Sequence, residues 1–230
     1  ASASDELVGV LQEEIAARGE AAVIFATGNS QLAFYQRLRE RDDIAWDRIT
    51  VFHMDEYMGL ADQHPASFRR YMREHLIDAV HPRAFYPIEG DASDLAAEIE
   101  RYTRLIAAHR PVACVMGIGE NGHLAFNDPP ADFATTQTMQ VVNLVDSCRL
   151  QQVGEGHFAS LDDVPQQALT LTIPALLAPP HILVIAPEER KAAAVRAALC
   201  GPISPDCPAS ILRSTPQARL LLDNASAALL

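Results

Sequence analysis

The most restrictive feature of this sequence is a repeated change of hydrophobic period. Short uninterrupted apolar runs alternate with amphipathic segments along most of the chain. The clearest runs cover residues 21–26, 49–54, 112–116 and 182–185, the second interrupted by Thr50 and His53; each is too short for an ordinary helix. They read as strands buried on both faces, an environment found in parallel sheets covered by helices above and below. The expectation is therefore an α/β chain with a mainly parallel central sheet.

Between these runs the helical period appears. Ser4 and Asp5 precede Leu7, Val8, Val10, Leu11 and Ile15, a capped amphipathic helix that Gly19 can terminate. Further helices are expected near residues 31–41, 67–76, 92–110 and 188–199, and further strands near 141–144, 168–171 and 220–222. No repeat or long Pro/Gly/Ser linker interrupts the pattern, so residues 1–230 read as a single domain. The least regular stretch, from Gly117 to about Pro165, is expected to hold loops and a flap around residues 145–165, since long loops in compact domains usually serve function.

Charge narrows the partners. The net charge of −12 argues against nucleic acid or an anionic membrane surface. No apolar stretch approaches the roughly 20 residues of a membrane span, and the first residues carry no secretory pattern, so a soluble cytoplasmic protein is expected. Cys114, Cys148, Cys200 and Cys207 form no Cys-x-x-Cys pair, which points away from structural zinc or a disulfide framework. Of the 18 basic residues all but Lys191 are arginine. An anionic small molecule would need a local site.

Ligands of open parallel sheets bind beyond the carboxyl ends of the strands, so the residues that follow each run carry the functional reading. Thr27, Gly28, Asn29 and Ser30 lie between a strand and a helix start, where backbone N–H groups, hydroxyls and the helix dipole suit a phosphate. The same residues also suit an ordinary Ser cap with a tight Gly turn, and by itself that reading is favoured. Lys191 opens a helix, where the dipole disfavours a cation unless an anion is bound; a solvated surface charge is the alternative. Asp55 and Glu56 follow the second run, and His123 sits in a glycine-rich loop with Asn121 and Asp128 nearby. Residues 117–122 match Gly-x-Gly-x-x-Gly, but the segment runs into Pro129 and Pro130 instead of opening a helix, which rejects a dinucleotide site. His53, Asp55, Glu56 and His64 lack a metal-binding spacing, so no metal is expected.

The segments Phe25-Ala-Thr-Gly-Asn-Ser30, Asp55-Glu-Tyr-Met-Gly-Leu60 and Gly117-Ile-Gly-Glu-Asn-Gly-His-Leu-Ala-Phe-Asn-Asp128 together resemble the glucosamine-6-phosphate deaminase (isomerase) family. Leu161-Asp-Asp-Val-Pro165, Lys191-Ala and Pro208-Ala-Ser-Ile-Leu212 continue the resemblance in order. The related 6-phosphogluconolactonases share the fold and a Gly-His loop but not the Asp-Glu-Tyr and Ala-Phe-Asn segments. The resemblance implies a Rossmann-like three-layer α/β/α fold, no cofactor, and a sugar-phosphate substrate. It further implies that an amino-sugar phosphate is ring-opened, isomerised and deaminated to fructose 6-phosphate and ammonia. Asp55 would move the proton between adjacent carbons, His123 would open the ring, and Thr27, Gly28, Asn29, Ser30 and Lys191 would hold the phosphate. Asn121 and Asp128 would complete the catalytic group around His123.

Three positions depart from the family. Asn121 stands where an aspartate is usual, and Asp128 replaces a longer glutamate. The expected phosphate-clamping arginine before Phe158 is replaced by Gly156 and His157, with Arg149 as a substitute candidate. Galactosamine 6-phosphate as substrate, lactone hydrolysis and non-catalytic sugar-phosphate sensing are the competing readings; a homo-oligomer is compatible with all of them.

Overall fold

The computed structural model describes residues 2–154, 156 and 158–230. The first helix, α1, covers Ala3–Arg18; Ser2 and Asp5 form its capping box and Gly19, at φ 81°, ends it. The cap is thus Ser2, two residues earlier than the hydrophobic pattern suggests. Strand β1 follows at Ala21–Phe25, helix α2 at Leu32–Arg39 and strand β2 at Ile49–His53. A short strand β3, Asp55–Tyr57, leads toward helix α3, Phe68–Met72, a π-helical turn at Arg73–Ile77 and helix α4 at Asp78–Val80. Next come β4 (Ala84–Tyr86), α5 (Leu95–His109) and β5 (Ala113–Met116). The remaining elements are β6 (Met139–Asn143), α6 (Asp146–Gly154), β7 (Gln167–Leu171), α7 (Ile173–Leu177), β8 (His181–Ala186), α8 (Ala192–Cys200) and β9 (Ala218–Leu222).

The principal sheet has six strands in the order β4-β2-β1-β5-β8-β9, and every pairing is parallel. The chain leaves β1 toward one edge, then returns to β5 and builds toward the other. The strand order reverses between β1 and β5, which opens a crevice beyond their carboxyl ends. The apolar runs are buried for the expected reason. β1 and β5 are buried at every residue, with Ala22, Ile24 and Cys114 facing one core layer and Val23, Phe25, Ala113 and Val115 the other. The Rossmann-like α/β reading holds.

The sequence reading did not foresee a second sheet. The strands expected near residues 141–144 and 168–171 exist as β6 and β7, but they form an antiparallel three-stranded sheet, β3-β7-β6, outside the parallel one. β6 alternates between covered and exposed residues, the pattern of a sheet with one wet face. Aromatic side chains fill its inner side: Tyr57 packs on Phe68, Phe126 and Phe158 at centroid distances of 5.0, 5.1 and 5.4 Å. The irregular stretch ahead of Pro165 also contains α6, which the sequence pattern did not mark.

Candidate active site

A cleft of about 820 Å³, measured with the space at its open mouth, lies at the reversal of strand order. Its wall includes Thr27, Gly28, Asn29 and Ser30 after β1, Asp55 at the start of β3, Gly119 and His123 after β5, and Lys191 after β8. Residues far apart in sequence thus share one crevice, as the strand-end argument requires.

At one end of the cleft the backbone dominates. Gly28 has φ 106°, a conformation open to glycine, and the chain then enters a 3₁₀ turn, Asn29–Gln31, that runs into α2. The side-chain amide of Gln31 donates to Ser30 Oγ at 3.1 Å, and Tyr71 Oη donates to the Gly28 carbonyl at 2.7 Å. Tyr35 donates to the Ala26 carbonyl. The loop, which lines the crevice, is therefore braced from two helices. The β8 crossover repeats this shape: Glu188 has φ 80°, a 3₁₀ turn at Glu189–Lys191 follows, and α8 continues. Arg190 braces it by pairing with Glu188 at 2.6 Å and with Glu120 at 3.1 Å. Lys191 is only 5% exposed. A surface lysine would not be buried on the wall of a cleft beside helix-start amides.

At the other end, side chains dominate. Asp55 and Glu56 are adjacent and buried but differ in satisfaction. Glu56 accepts from the backbone N–H of Tyr57, Phe68 and Arg69 at 2.9–3.0 Å and from Ser67 Oγ at 2.9 Å. Arg69 also lies 3.4 Å away as an ion pair. Burial pushes the Glu56 carboxyl upward, against the pull of these hydrogen bonds and of the Arg69 charge. Glu56 thus caps the start of α3 from a neighbouring strand, a structural role. Asp55 has a fully buried Oδ1 with no hydrogen-bond partner. Burial, reinforced by the Glu56 carboxylate, holds its carboxyl well above the ordinary carboxylate range.

The glycine-rich loop after β5 shapes the position of His123. Gly119 N–H donates to the His123 carbonyl at 3.0 Å, and Gly122 N–H donates back to the Gly119 carbonyl at 3.0 Å. A Cβ on Gly119 would lie 2.2–2.3 Å from the His123 ring atoms, so the imidazole rests where a side chain would otherwise stand. The 3₁₀ segment Pro208–Ser214 supports the loop from below, with Ala209 N–H donating to the Gly122 carbonyl at 2.8 Å.

Asn121 and Asp128 stand behind the imidazole and are not on the described cleft wall. His123 Nδ1 and Asp128 Oδ1 are 3.3 Å apart, ion-pair range, although their alignment leaves Nδ1 without a hydrogen bond of good geometry. The Asn121 amide donates to Asp128 Oδ1 at 3.0 Å, while its carbonyl accepts from the His123 N–H at 3.1 Å. Burial works to raise the Asp128 carboxyl, but the interactions with His123 and Asn121 outweigh it and leave it below its usual value. Both residues contact the His123 segment without lining the described cleft.

The Ala-Phe-Asn segment joins the two catalytic candidates. Phe126 N–H donates to Thr170 Oγ1 at 3.2 Å, and the Asn127 amide donates to the Leu124 and Leu171 carbonyls at 2.9 Å. Thr170 is the register partner of Asp55 across β3 and β7. One antiparallel strand therefore sets Asp55 and the His123 loop against each other.

One sequence expectation is corrected here. Arg149 does not reach the cleft: it pairs with Asp146 at 3.0 Å and donates to the Leu161 and Val164 carbonyls at 2.7 and 3.0 Å, tying α6 to the following turn. Gln152 from α6 and Arg190 line the cleft in its stead. Neither drew attention in the sequence. Gln152 follows from α6, which was not expected, while Arg190 adjoins the lysine that was noticed. Gly156 has φ 83°, and His157 lies outside the described residues.

His53 is not a metal ligand. It is fully buried, its Nε2 accepts from the Ile88 N–H at 2.7 Å, and burial lowers its pKa to about 3. Glu56 is consumed by α3. Among the described residues, the group that brings three metal-type donors together is a different one, His123, Asp128 and Cys148, whose donor atoms all lie within 4.8 Å of one another.

With this arrangement in hand, comparison with known proteins gives a consistent result. Residues 1–221 match the family model described as glucosamine-6-phosphate isomerases/6-phosphogluconolactonase. The chain belongs to this family. Among its relatives, a glucosamine-6-phosphate deaminase of Exiguobacterium sibiricum is 37% identical over 232 residues, covering 99% of this chain and 90% of the relative. Another from Streptococcus equi subsp. equi is 35% identical over 217 residues, covering 94% and 91% respectively. A solved structure of a monomeric glucosamine-6-phosphate deaminase superposes with a TM-score of 0.89 at 31% identity, covering 99% of this chain and 93% of that one. A 6-phosphogluconolactonase from Shewanella baltica shares the fold at a TM-score of 0.74 and 22% identity, covering 95% and 90%.

Proposed function

We propose that the protein converts glucosamine 6-phosphate and water to fructose 6-phosphate and ammonia. The observation that carries this reading is Asp55: a buried carboxyl group with an unpartnered oxygen, on the wall of the cleft that also holds His123, Lys191 and loop 27–30. Aldose–ketose isomerisation moves one proton between two adjacent carbons. A single carboxylate within reach of both can take it from one and return it to the other, and a raised pKa strengthens it as a base. Lactone hydrolysis needs no such group.

The roles follow from position. The amides and hydroxyls of residues 27–30 hold the phosphate with Lys191, which places the sugar's far end toward Asp55 and His123. This fixed geometry supplies much of the rate enhancement, because it turns proton transfer into a reaction between groups already in place. His123 passes a proton between the anomeric hydroxyl and the ring oxygen, opening the ring. Asp55 then removes the proton on carbon 2 of the open aldehyde and delivers it to carbon 1, producing the imine of the ketose. Water adds to that imine, and ammonia departs to leave the ketone. Asp128, clipped by Asn121, orients the imidazole. The neutral Asn121 supports this by geometry alone.

Gln152 and Arg190 also line the cleft. A coupled assay of ammonia release from glucosamine 6-phosphate and galactosamine 6-phosphate tests the reading directly. Ammonia from the gluco epimer, abolished in Asp55→Asn, is the expected result. Hydrolysis of 6-phosphogluconolactone without ammonia release overturns it, and ligand-induced stabilisation with no turnover indicates a sensor instead.

A further inference from the structure

Behind the reacting face of the imidazole lies a group of side chains that the proposed reaction does not fully use. Cys148 on α6 is buried at 2% exposure, and its sulfur lies with His123 Nδ1 and an Asp128 carboxylate oxygen in a cluster whose donors are all within 4.8 Å. Two of these groups have unspent capacity. His123 Nδ1 and Asp128 Oδ2 are both buried without a hydrogen-bond partner, and the Asp128 side chain is only 8% exposed. Buried polar atoms left in this state cost free energy, so their retention beside a thiol needs a reason.

We propose that His123 Nδ1, Asp128 and Cys148 Sγ form a zinc-binding site that inhibits the enzyme by capturing the catalytic imidazole from behind. A thiolate, an imidazole and a carboxylate suit a borderline-soft d¹⁰ cation, and three protein donors leave the fourth tetrahedral position to water. Bonds of 2.0–2.3 Å at tetrahedral angles set neighbouring donors about 3.3–3.8 Å apart. The cluster therefore has to contract by roughly an ångström, well within what a helix on the flank of the cleft can supply by side-chain rotation.

The chemistry of inhibition is simple. Zinc on Nδ1 leaves the proton of the imidazole on Nε2, so the ring can no longer accept a proton from the anomeric hydroxyl. The same ion engages the Asp128 carboxylate that orients the ring. Binding releases the thiol proton of Cys148 to solvent, so apparent zinc affinity rises with pH. By simple one-site occupancy, zinc at ten times its dissociation constant leaves about one-tenth of the activity. A chelator restores it.

The inhibitory consequence rests on the deaminase reading, whereas metal binding does not, and the test separates them. The purified protein is titrated with Co²⁺ while the thiolate-to-cobalt charge-transfer absorption is followed, and ammonia release is measured in parallel with Zn²⁺ and with chelator. The expected result is a charge-transfer band in the wild-type chain that disappears in Cys148→Ser, together with zinc inhibition that Cys148→Ser loses while its activity without zinc is unchanged. Cys148→Ala provides the same comparison if the hydroxyl disturbs folding, which thermal melting checks. Asp128→Asn should weaken the band. A band that persists in both Cys148 variants, or zinc inhibition undiminished in them, overturns the site. Absence of both band and inhibition also overturns it. A Cys148-dependent band in a protein with no deaminase turnover supports the metal site and rejects the proposed function instead.

Discussion

The two ends of the cleft are built on opposite plans. The anchor end is made of strand-to-helix turns in the parallel sheet, where Gly28 and Glu188 both adopt positive φ before a 3₁₀ turn. Its donors are largely backbone, and the one lysine in the chain is added to them. The reacting end collects side chains from β3 and the glycine loop, where Asn121 and Asp128 set the His123 ring. An anchor made from backbone tolerates substitution at many positions; a reacting end made from aimed side chains fails when any aiming contact is lost. Substitutions at the reacting end should therefore lower kcat, and those at the anchor end should raise KM.

The largest expected effect tests the base. Asp55→Asn should lower kcat by about 10²–10⁴-fold with KM little changed, as removal of a general base does; steady-state ammonia release measures it. A variant that retains more than a tenth of wild-type kcat removes Asp55 from that role. Gly119→Ala comes next. Its methyl would occupy the position of the His123 ring, and a displacement of about 1 Å at a catalytic group costs on the order of 10²-fold in kcat. Unchanged turnover would show that the ring position is not critical.

At the anchor, Lys191→Ala should raise KM by about 10- to 100-fold, the range of a charge-assisted hydrogen bond, with a smaller change in kcat. A comparable fall in kcat alone would blur the division between the two ends. Gln152→Ala should shift KM by roughly two- to tenfold, the worth of a neutral hydrogen bond. Its ratio between the gluco and galacto epimers reports whether α6 reads a sugar hydroxyl.

The smallest effect concerns stability and has the opposite sign to activity. Asp55 has a folded pKa raised above its unfolded value near 3.9, so its contribution to stability is present at low pH and lost as pH rises through the folded pKa. Asp55→Asn should therefore melt higher than wild type at pH 8, with the difference closing as pH falls toward 4. Scanning calorimetry across that range decides it, and equal melting temperatures at pH 8 would mean the carboxylate is not strained by burial. Such a trade of stability for activity is common at sites that keep a buried charge.

Much of this arrangement is legible in the chain. The apolar runs at β1, β2, β5 and β8 mark strands covered on both faces, because only such strands can dispense with polar alternation. Their carboxyl ends name loop 27–30, Asp55, His123 and Lys191, since open parallel sheets leave their crevice there. The sequence does not reveal β3, whose residues read as a loop; three residues gain strand geometry only by pairing with β7. It also misassigns Arg149, because an arginine near a cleft and an arginine tying α6 to residues 161 and 164 look the same in one dimension.

Local chemistry thus determined the elements, the order in which they alternate and the kinds of group at each strand end, because hydrophobic period and turn preference act over a few residues. Only the tertiary structure decided that Glu56 would be saturated as a cap while Asp55, one residue away on the cleft wall, kept a buried oxygen without a hydrogen-bond partner. Only it placed Cys148 behind His123. Hydrogen-bond satisfaction and burial depend on what the rest of the chain brings alongside, and those neighbours come from strands and helices dozens of residues away.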